Sequence, residues 1–220
     1  MENAAKRSAR DFFPDKIDLK SLDRASETCE GCDLYKMATQ TVFGEGPATA
    51  SLMLVGEVPG DEEDKSGHPF VGPAGRLLNK ALEEVGIDRD QVYTTNVVKH
   101  FKWRQSGKRR LHEKPKASEM NACKPWLDAE LRVVRPRILV FLGATAAQSL
   151  LGRDFRVTKM RGQWIPSELA EKVLATVHPS SILRAPDSES RQKQYLEFVA
   201  DLLVVAREMG RSKGKTARAS

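Results

Sequence analysis

Long apolar runs are missing from this chain of 220 residues, and so is any internal repeat. No stretch reaches the length of a membrane-spanning helix, which excludes an integral helical membrane protein. Cysteine is scarce: three residues, an odd and small number that argues against a disulfide framework and leaves metal ligation, chemistry or plain burial. The first ten residues carry basic side chains but no apolar core of a secretory signal, so a cytoplasmic location is expected. Aromatic residues make up only 6% of the chain, which gives weight to any place where they gather. Hydrophobic content of 40% and charged content of 30% describe a soluble globular protein long enough for one good core.

Positive charge is present but local. Between Lys99 and Lys116 the chain carries eight Lys and Arg against one acid. Its total is only +6, so the remainder is close to neutral. Phe101 and Trp103 are interleaved with these cations, and two of the four histidines, His100 and His112, lie among them. Cations alternating with aromatic rings suit a phosphate backbone and unstacked bases.

Around this segment the pattern alternates between strand and helix. Buried strands are expected at 50–55, 91–98, 137–142 and 172–177, and helices at 72–85, 118–133 (capped by Ser118), 143–151 and 192–207. Strands alternating with helices imply a three-layer α/β/α domain around a mostly parallel four-stranded sheet. The domain is expected over 26–208, with an outer arm at 1–25 and a basic disordered tail at 209–220 able to touch nucleic acid weakly. Unusual residues follow each strand: Gly56 to Gly60, Asn96 to His100, Gly143, and His178-Pro179-Ser180-Ser181. Open α/β sheets bind their ligands at these carboxyl ends.

Cys29 and Cys32 form a Cys-x2-Cys pair, and Cys123 is the third thiol. His100 is the best candidate for a fourth ligand. Zinc and an iron–sulfur cluster both accept such a set, and composition does not choose between them; a set of reduced thiols without metal, with Cys123 simply buried, also satisfies the pattern.

Four segments together resemble the family 4 uracil-DNA glycosylases: Gly-Glu-Val-Pro-Gly-Asp-Glu-Glu-Asp at 56–64, Pro-Phe-Val-Gly-Pro-Ala-Gly-Arg-Leu-Leu at 69–78, Thr-Asn-Val-Val-Lys-His-Phe-Lys at 95–102 and His-Pro-Ser-Ser-Ile-Leu-Arg at 178–184. The insert Lys-Arg-Arg-Leu-His at 108–112 is similar to the signature of the UdgX branch, which cross-links itself to DNA after removing uracil. The likeness spans about Cys29 to Leu203. It implies the uracil-DNA glycosylase fold, a structural [4Fe-4S] cluster on Cys29, Cys32, His100 and Cys123, uracil-containing DNA as partner (single-stranded or double-stranded), and a monomer. Two positions depart from the branch pattern: Val58 stands where glutamine is usual and Leu111 where isoleucine is usual.

The resemblance also assigns roles. Glu57 faces the sugar carbon C1′ as positive charge develops, and His178 donates toward uracil O2. Phe70 stacks on the base within a pocket that Gly56 and Val58 help to bound. Asn96 reads O4 and N3–H, a pattern that cytosine reverses. His112 is the expected nucleophile, its imidazole taking C1′ in place of water. Lys108, Arg109, Arg110, Ser180, Ser181 and Arg184 are the expected phosphate contacts. Each has a plainer alternative: Glu57 a solvated loop acid, His178 a turn cap, Phe70 a core residue, Asn96 a strand-end cap, His112 one more charge in a basic loop. A turnover glycosylase of family 4 and a non-enzymatic zinc module that binds nucleic acid are the rival functions.

Overall fold

A computed structural model describes residues 7–216, with side chains described as far as Arg211. Residues 1–6 of the expected arm and 217–220 of the expected tail lie outside the described residues. Seven strands are formed: β1 (Leu52–Gly56), β2 (Val92–Asn96), β3 (Trp103–Ser106), β4 (Arg109–His112), β5 (Ile138–Leu142), β6 (Trp164–Ile165) and β7 (Lys172–Thr176). The α-helices are α1 (Leu19–Ser26), α2 (Asp61–Ser66), α3 (Pro73–Glu84), α4 (Ala117–Val134), α5 (Ala144–Leu151), α6 (Val157–Met160), α7 (Pro179–Leu183) and α8 (Ser188–Thr216).

The central sheet runs β2-β1-β5-β7-β6. Its first four strands are parallel, as the alternating pattern requires. A fifth, β6, adds antiparallel at one edge, which corrects the four-strand expectation. Two residues carry no readable period, so β6 is invisible in the sequence. Successive side chains of each buried strand supply the two faces in turn. Met53 and Val55 enter the core cluster that contains Trp126, whereas Leu52 and Leu54 enter the one that contains Leu78 and Phe198.

Three further boundaries differ from expectation. Helix α4 begins at Ala117, and its cap is Lys116, whose backbone N–H donates to Glu119 Oε2 at 2.5 Å, so Ser118 is already inside the helix. Helix α8 continues to Thr216, into the segment expected as tail. The segment read as an outer arm joins the core: Ala9 and Leu22 are fully buried, and Phe13 stacks on Trp126 at 4.7 Å between ring centres.

Strand order reverses between β1 and β5, because the chain leaves β1 for β2 on one side and returns to β5 on the other. The crevice above that switch point is where this architecture accommodates ligands. Just below it, a fully buried cation ties β2 to α4. Lys99 Nζ donates to Glu130 Oε2 (2.5 Å), Thr95 Oγ1 (2.5 Å) and the carbonyl oxygen of Asn96 (2.9 Å). Tyr93 and Thr95 hydroxyls complete the shell by donating to Glu130 Oε1 at 3.0 and 2.8 Å. Removing one partner of such a pair strands the other charge in a medium that cannot solvate it. Lys99→Met is expected to cost about 3–5 kcal/mol in urea unfolding, and adding Glu130→Leu is expected to return part of that loss.

Candidate active site

The carboxyl ends of β1 and β2 pair residue for residue, with Gly56 opposite Asn96. Val97 and Val98 extend the pairing by donating their backbone N–H groups to the carbonyls of Gly56 (2.9 Å) and Glu57 (3.1 Å). A Cβ on Gly56 would overlap Asn96 Oδ1 and meet the tip of the Phe70 ring, so glycine at 56 is what lets the amide and the ring approach each other. Phe70 is 6% exposed and has a backbone φ of +58°, a left-handed conformation that a bulky residue rarely adopts. Gly75, in the first turns of α3, makes room: a Cβ there would run into the Phe70 carbonyl. The ring of Phe70 lies 6.3 Å from that of His178 with 29° between their planes.

His178 follows β7 and caps α7. Its Nδ1 accepts the Ser180 backbone N–H at 3.1 Å and lies 2.8 Å from the Ser180 hydroxyl, while Ser181 Oγ donates to the His178 carbonyl. An Nδ1 that accepts leaves the proton of the neutral ring on Nε2. Burial, with Arg184 and His112 adding to it, pulls the His178 pKa down to about 4, so the neutral ring is the form present at pH 7. Ser180 and Ser181, expected at a phosphate, instead fix the tautomer and direction of this histidine.

Glu57 leaves β1 into the crevice. Its Oε1 is buried without a hydrogen-bond partner. Burial raises its pKa, against the opposing influence of Lys114, the Thr145 hydroxyl and Arg184. The solvated-loop alternative is thereby overturned. The acids that follow Glu57 form α2, where Glu63 ties two loops by accepting the Gly60 and Gly72 N–H groups at 3.1 and 2.8 Å. Val58 is buried and packs with the core cluster of Val55 and Phe141. It therefore presents no polar group to a base.

The basic segment is a hairpin rather than a loop, with β3 and β4 antiparallel and Trp103 opposite His112. Arg110 changes role here. Its Nε donates to Asp61 (2.5 Å), one terminal nitrogen donates to the fully buried Asp64 (2.6 Å) and to Thr39 (3.1 Å), and its plane lies 5.4 Å from both the Phe101 and Trp103 rings. The guanidinium faces inward as a latch and is not free for phosphate. Lys108, Arg109 and Arg184 are exposed. The latch brings His112, at the end of β4, beside the site: its ring is 6.2 Å from Phe101, and it stands close enough to His178 to depress that residue's pKa. His112 is an exposed residue whose ring is only partly covered; that partial cover, then Arg184, lowers its pKa below the ordinary 6.5, so its neutral form dominates at pH 7.

The thiols gather on the other side of Lys99. Cys123 Sγ accepts the Lys99 backbone N–H (3.2 Å) and Cys29 Sγ accepts Trp126 Nε1–H (3.3 Å). Cys29 and Cys32 both help to raise the Cys123 pKa, which burial pushes up to about 12. His100 is buried, its Nε2 is 3.0 Å from the Thr41 hydroxyl, and its pKa falls to about 4, which leaves a neutral ring with Nδ1 free to ligate. Among the described residues no three His, Cys, Asp or Glu side chains converge tightly enough for a single metal ion. Three free thiols and a neutral imidazole, with N–H donors on two of the sulfurs, are the donor types that an iron–sulfur cluster takes.

An amide, a left-handed aromatic and a neutral histidine thus gather at the carboxyl ends of β1, β2 and β7, and Glu57 leaves β1 at that same end. The profile of the Uracil DNA glycosylase superfamily matches residues 43–203. The chain belongs to that superfamily. Among its relatives, the type-4 uracil-DNA glycosylase of Sulfurisphaera tokodaii is 36% identical over 197 residues, covering 84% of this chain and 86% of that protein. The type-4 enzyme of Thermotoga maritima is 41% identical over 165 residues, 74% of this chain and 82% of that protein. A type-4 uracil-DNA glycosylase of Archaeoglobus fulgidus is 34% identical over 194 residues, 84% of this chain and 94% of that protein. Membership accounts for the four strand-end motifs. Arg110 as latch, Thr145 beside Glu57, and Gly75 beneath Phe70 are positions that sequence reasoning missed; only the glycine, in a helix start, carried a signal that could have been read.

The unpartnered carboxylate has a measurable cost to the fold. Glu57→Gln is expected to raise stability by about 1 kcal/mol in thermal unfolding, because a neutral amide is cheaper to bury. The same change is expected to lower uracil release about 100-fold or more.

Proposed function

We propose that this protein excises uracil from DNA and that His112 then bonds to C1′ of the resulting abasic sugar. What supports the reading is His112 at the end of a hairpin latched by Arg110: an exposed residue whose ring stands 6.2 Å from Phe101, with Arg184 and His178 near enough to interact with it electrostatically.

A flipped uridine would lie against Phe70 with its edge toward Asn96. Lys99 anchors the backbone at this position by donating to the main-chain carbonyl oxygen of Asn96 at 2.9 Å. The amide N–H donates to O4 and the amide oxygen accepts from N3–H; cytosine presents the reverse pattern. As the C1′–N1 bond breaks, its electron pair leaves with the base. His178 Nε2–H donates to O2, where negative charge accumulates, and costs no reorganisation because Ser180 has already set the ring. Glu57 stabilises the cationic sugar. The lone pair of His112 then forms a bond to C1′, and the ring loses its other N–H proton, first to Glu57 and finally to the departed uracil anion. The product is a neutral N-alkyl imidazole and free uracil, so atoms and charge balance. Placement beside the sugar gives the imidazole a large effective concentration over water.

Cys29, Cys32, His100 and Cys123 would hold a [4Fe-4S] cluster, which supplies a structural cross-link between the N-terminal segment and α4. The reaction is not redox and no step needs it. Charge on Lys108, Arg109 and Arg184 would draw the strand to the crevice. The cytosol is the compartment that suits free thiols and such a substrate.

Conventional turnover, in which water captures the sugar, is favoured by the type-4 relatives as a group. One gel separates the two. Incubation with a uracil-containing single-stranded oligonucleotide is expected to give a protein–DNA species that survives boiling in denaturant. His112→Ala is expected to abolish that species and leave free abasic DNA. Free abasic DNA from the unaltered protein would overturn the covalent step and leave the glycosylase.

The pH profile follows from the two buried groups. Glu57 must be ionised, and burial has raised its pKa above the usual 4.5. His178 must be neutral, and its pKa is about 4. Single-turnover excision is therefore expected to stay flat from pH 8 downward, then to fall on one acid limb centred above pH 4.5, while His178 is still unprotonated. A limb near pH 6.5 that Glu57→Gln retains would mean that His178 titrates as an exposed imidazole.

A further inference from the structure

Between α4 and α5 lies a cleft of about 360 Å³ whose lining includes none of the strand-end site residues but reaches two of their neighbours. Val97, the residue after Asn96, forms its floor, and Thr145, the neighbour of Glu57, stands on its edge. Asn121 and Lys124 line one wall and Gln148 and Arg153 the other, each set presented by one helix and its end. Asn121 and Lys124, three apart, share one face of α4, while Gln148 on α5 and Arg153 just beyond its end line the cleft from the other side. The lining holds two cations and no carboxylate. Gln148 is held in place by donating to the Phe155 carbonyl at 2.9 Å, which leaves its own carbonyl oxygen to accept. None of these four side chains has a part in the reaction described above.

We infer that this cleft is a subsite for a nucleotide adjoining the uridine on the same strand. This rests on the glycosylase reading. The chemistry of the lining selects the occupant. An apolar floor receives a base, two primary amides offer donors and acceptors to any base edge or sugar, and paired cations at the walls neutralise a phosphate. Such a set is tolerant of sequence, because amides supply both hydrogen-bond senses. It holds the strand in register with the crevice, so that extruding the uridine does not release its neighbour. Lys124 and Arg153 bind and position the strand and do not touch the reacting atoms.

Three single-stranded oligonucleotides test this: one with a central uridine, one with uridine at the 5′ end and one with uridine at the 3′ end. Single-turnover uracil release is measured against protein concentration for the unaltered chain, for Lys124→Gln with Arg153→Gln, and for Gln148→Ala. The double variant is expected to raise the half-saturating concentration about tenfold on the central substrate and on one end-placed substrate, with the limiting rate unchanged. On the other end-placed substrate, which lacks the adjoining nucleotide, no change is expected. Gln148→Ala is expected to follow the same pattern with a smaller shift. Equal weakening on all three, or none on any, would overturn the subsite while leaving the glycosylase intact. Failure of the unaltered protein to release uracil would sink both.

Discussion

The buried pairing of Lys99 with Glu130 is the contact on which the rest of the site depends. It is fully enclosed, it joins the segment just after the edge strand β2 to the long helix α4, and it acts in three directions from one residue. The ammonium holds the Asn96 carbonyl, the backbone N–H reaches Cys123, and the carboxylate of Glu130 gathers Tyr93 and Thr95. A buried ion pair is weak evidence of net stability, since both charges had to leave water. What it supplies is uniqueness of position. Only one register of the strand against the helix satisfies every donor and acceptor, and that register fixes the amide that would read the base and the thiol beside it.

Most of the central architecture was legible because it obeys a simple period. Near-continuous apolar runs at β1, β5 and β7, each followed by helical spacing, leave little alternative to a parallel sheet with two covered faces. The carboxyl-end rule alone brings Gly56, Glu57, Asn96 and His178 to one edge of that sheet. What could not be read was anything that depends on contacts remote in sequence. Arg110 looks like its neighbours Lys108 and Arg109 in a linear view; only the approach of Asp61 and Asp64 from α2 makes it a latch. Ser180 and Ser181 suit a phosphate equally well until the direction of the His178 ring is known. Val58 reads as part of a binding motif, yet the turn after β1 sends it into the core. Two-residue β6 falls below the length at which alternation has meaning.

Two histidines of one type are prepared for different tasks by their surroundings. His178 is locked at Nδ1 by its own helix start and faces inward, where burial keeps it uncharged and able to donate. His112 rides on a hairpin whose attachment is electrostatic and aromatic, with an accessible ring that Arg184 helps to keep neutral. On the proposed reading, a fixed donor and a carried nucleophile would divide bond breaking from bond making across two elements.

The left-handed turn at Phe70 carries one more implication. Its ring is aimed by a backbone shape normally left to glycine, and that shape survives because the helix behind it begins with a residue that has no side chain at 75. Neither position can drift alone: a larger group at 75 evicts the aromatic, and relaxing 70 to a common conformation swings the ring off its face. Such interlocked pairs resist gradual remodelling, so a change of preferred base in this scaffold is easier to reach through the strand-end amide than through the platform beneath it.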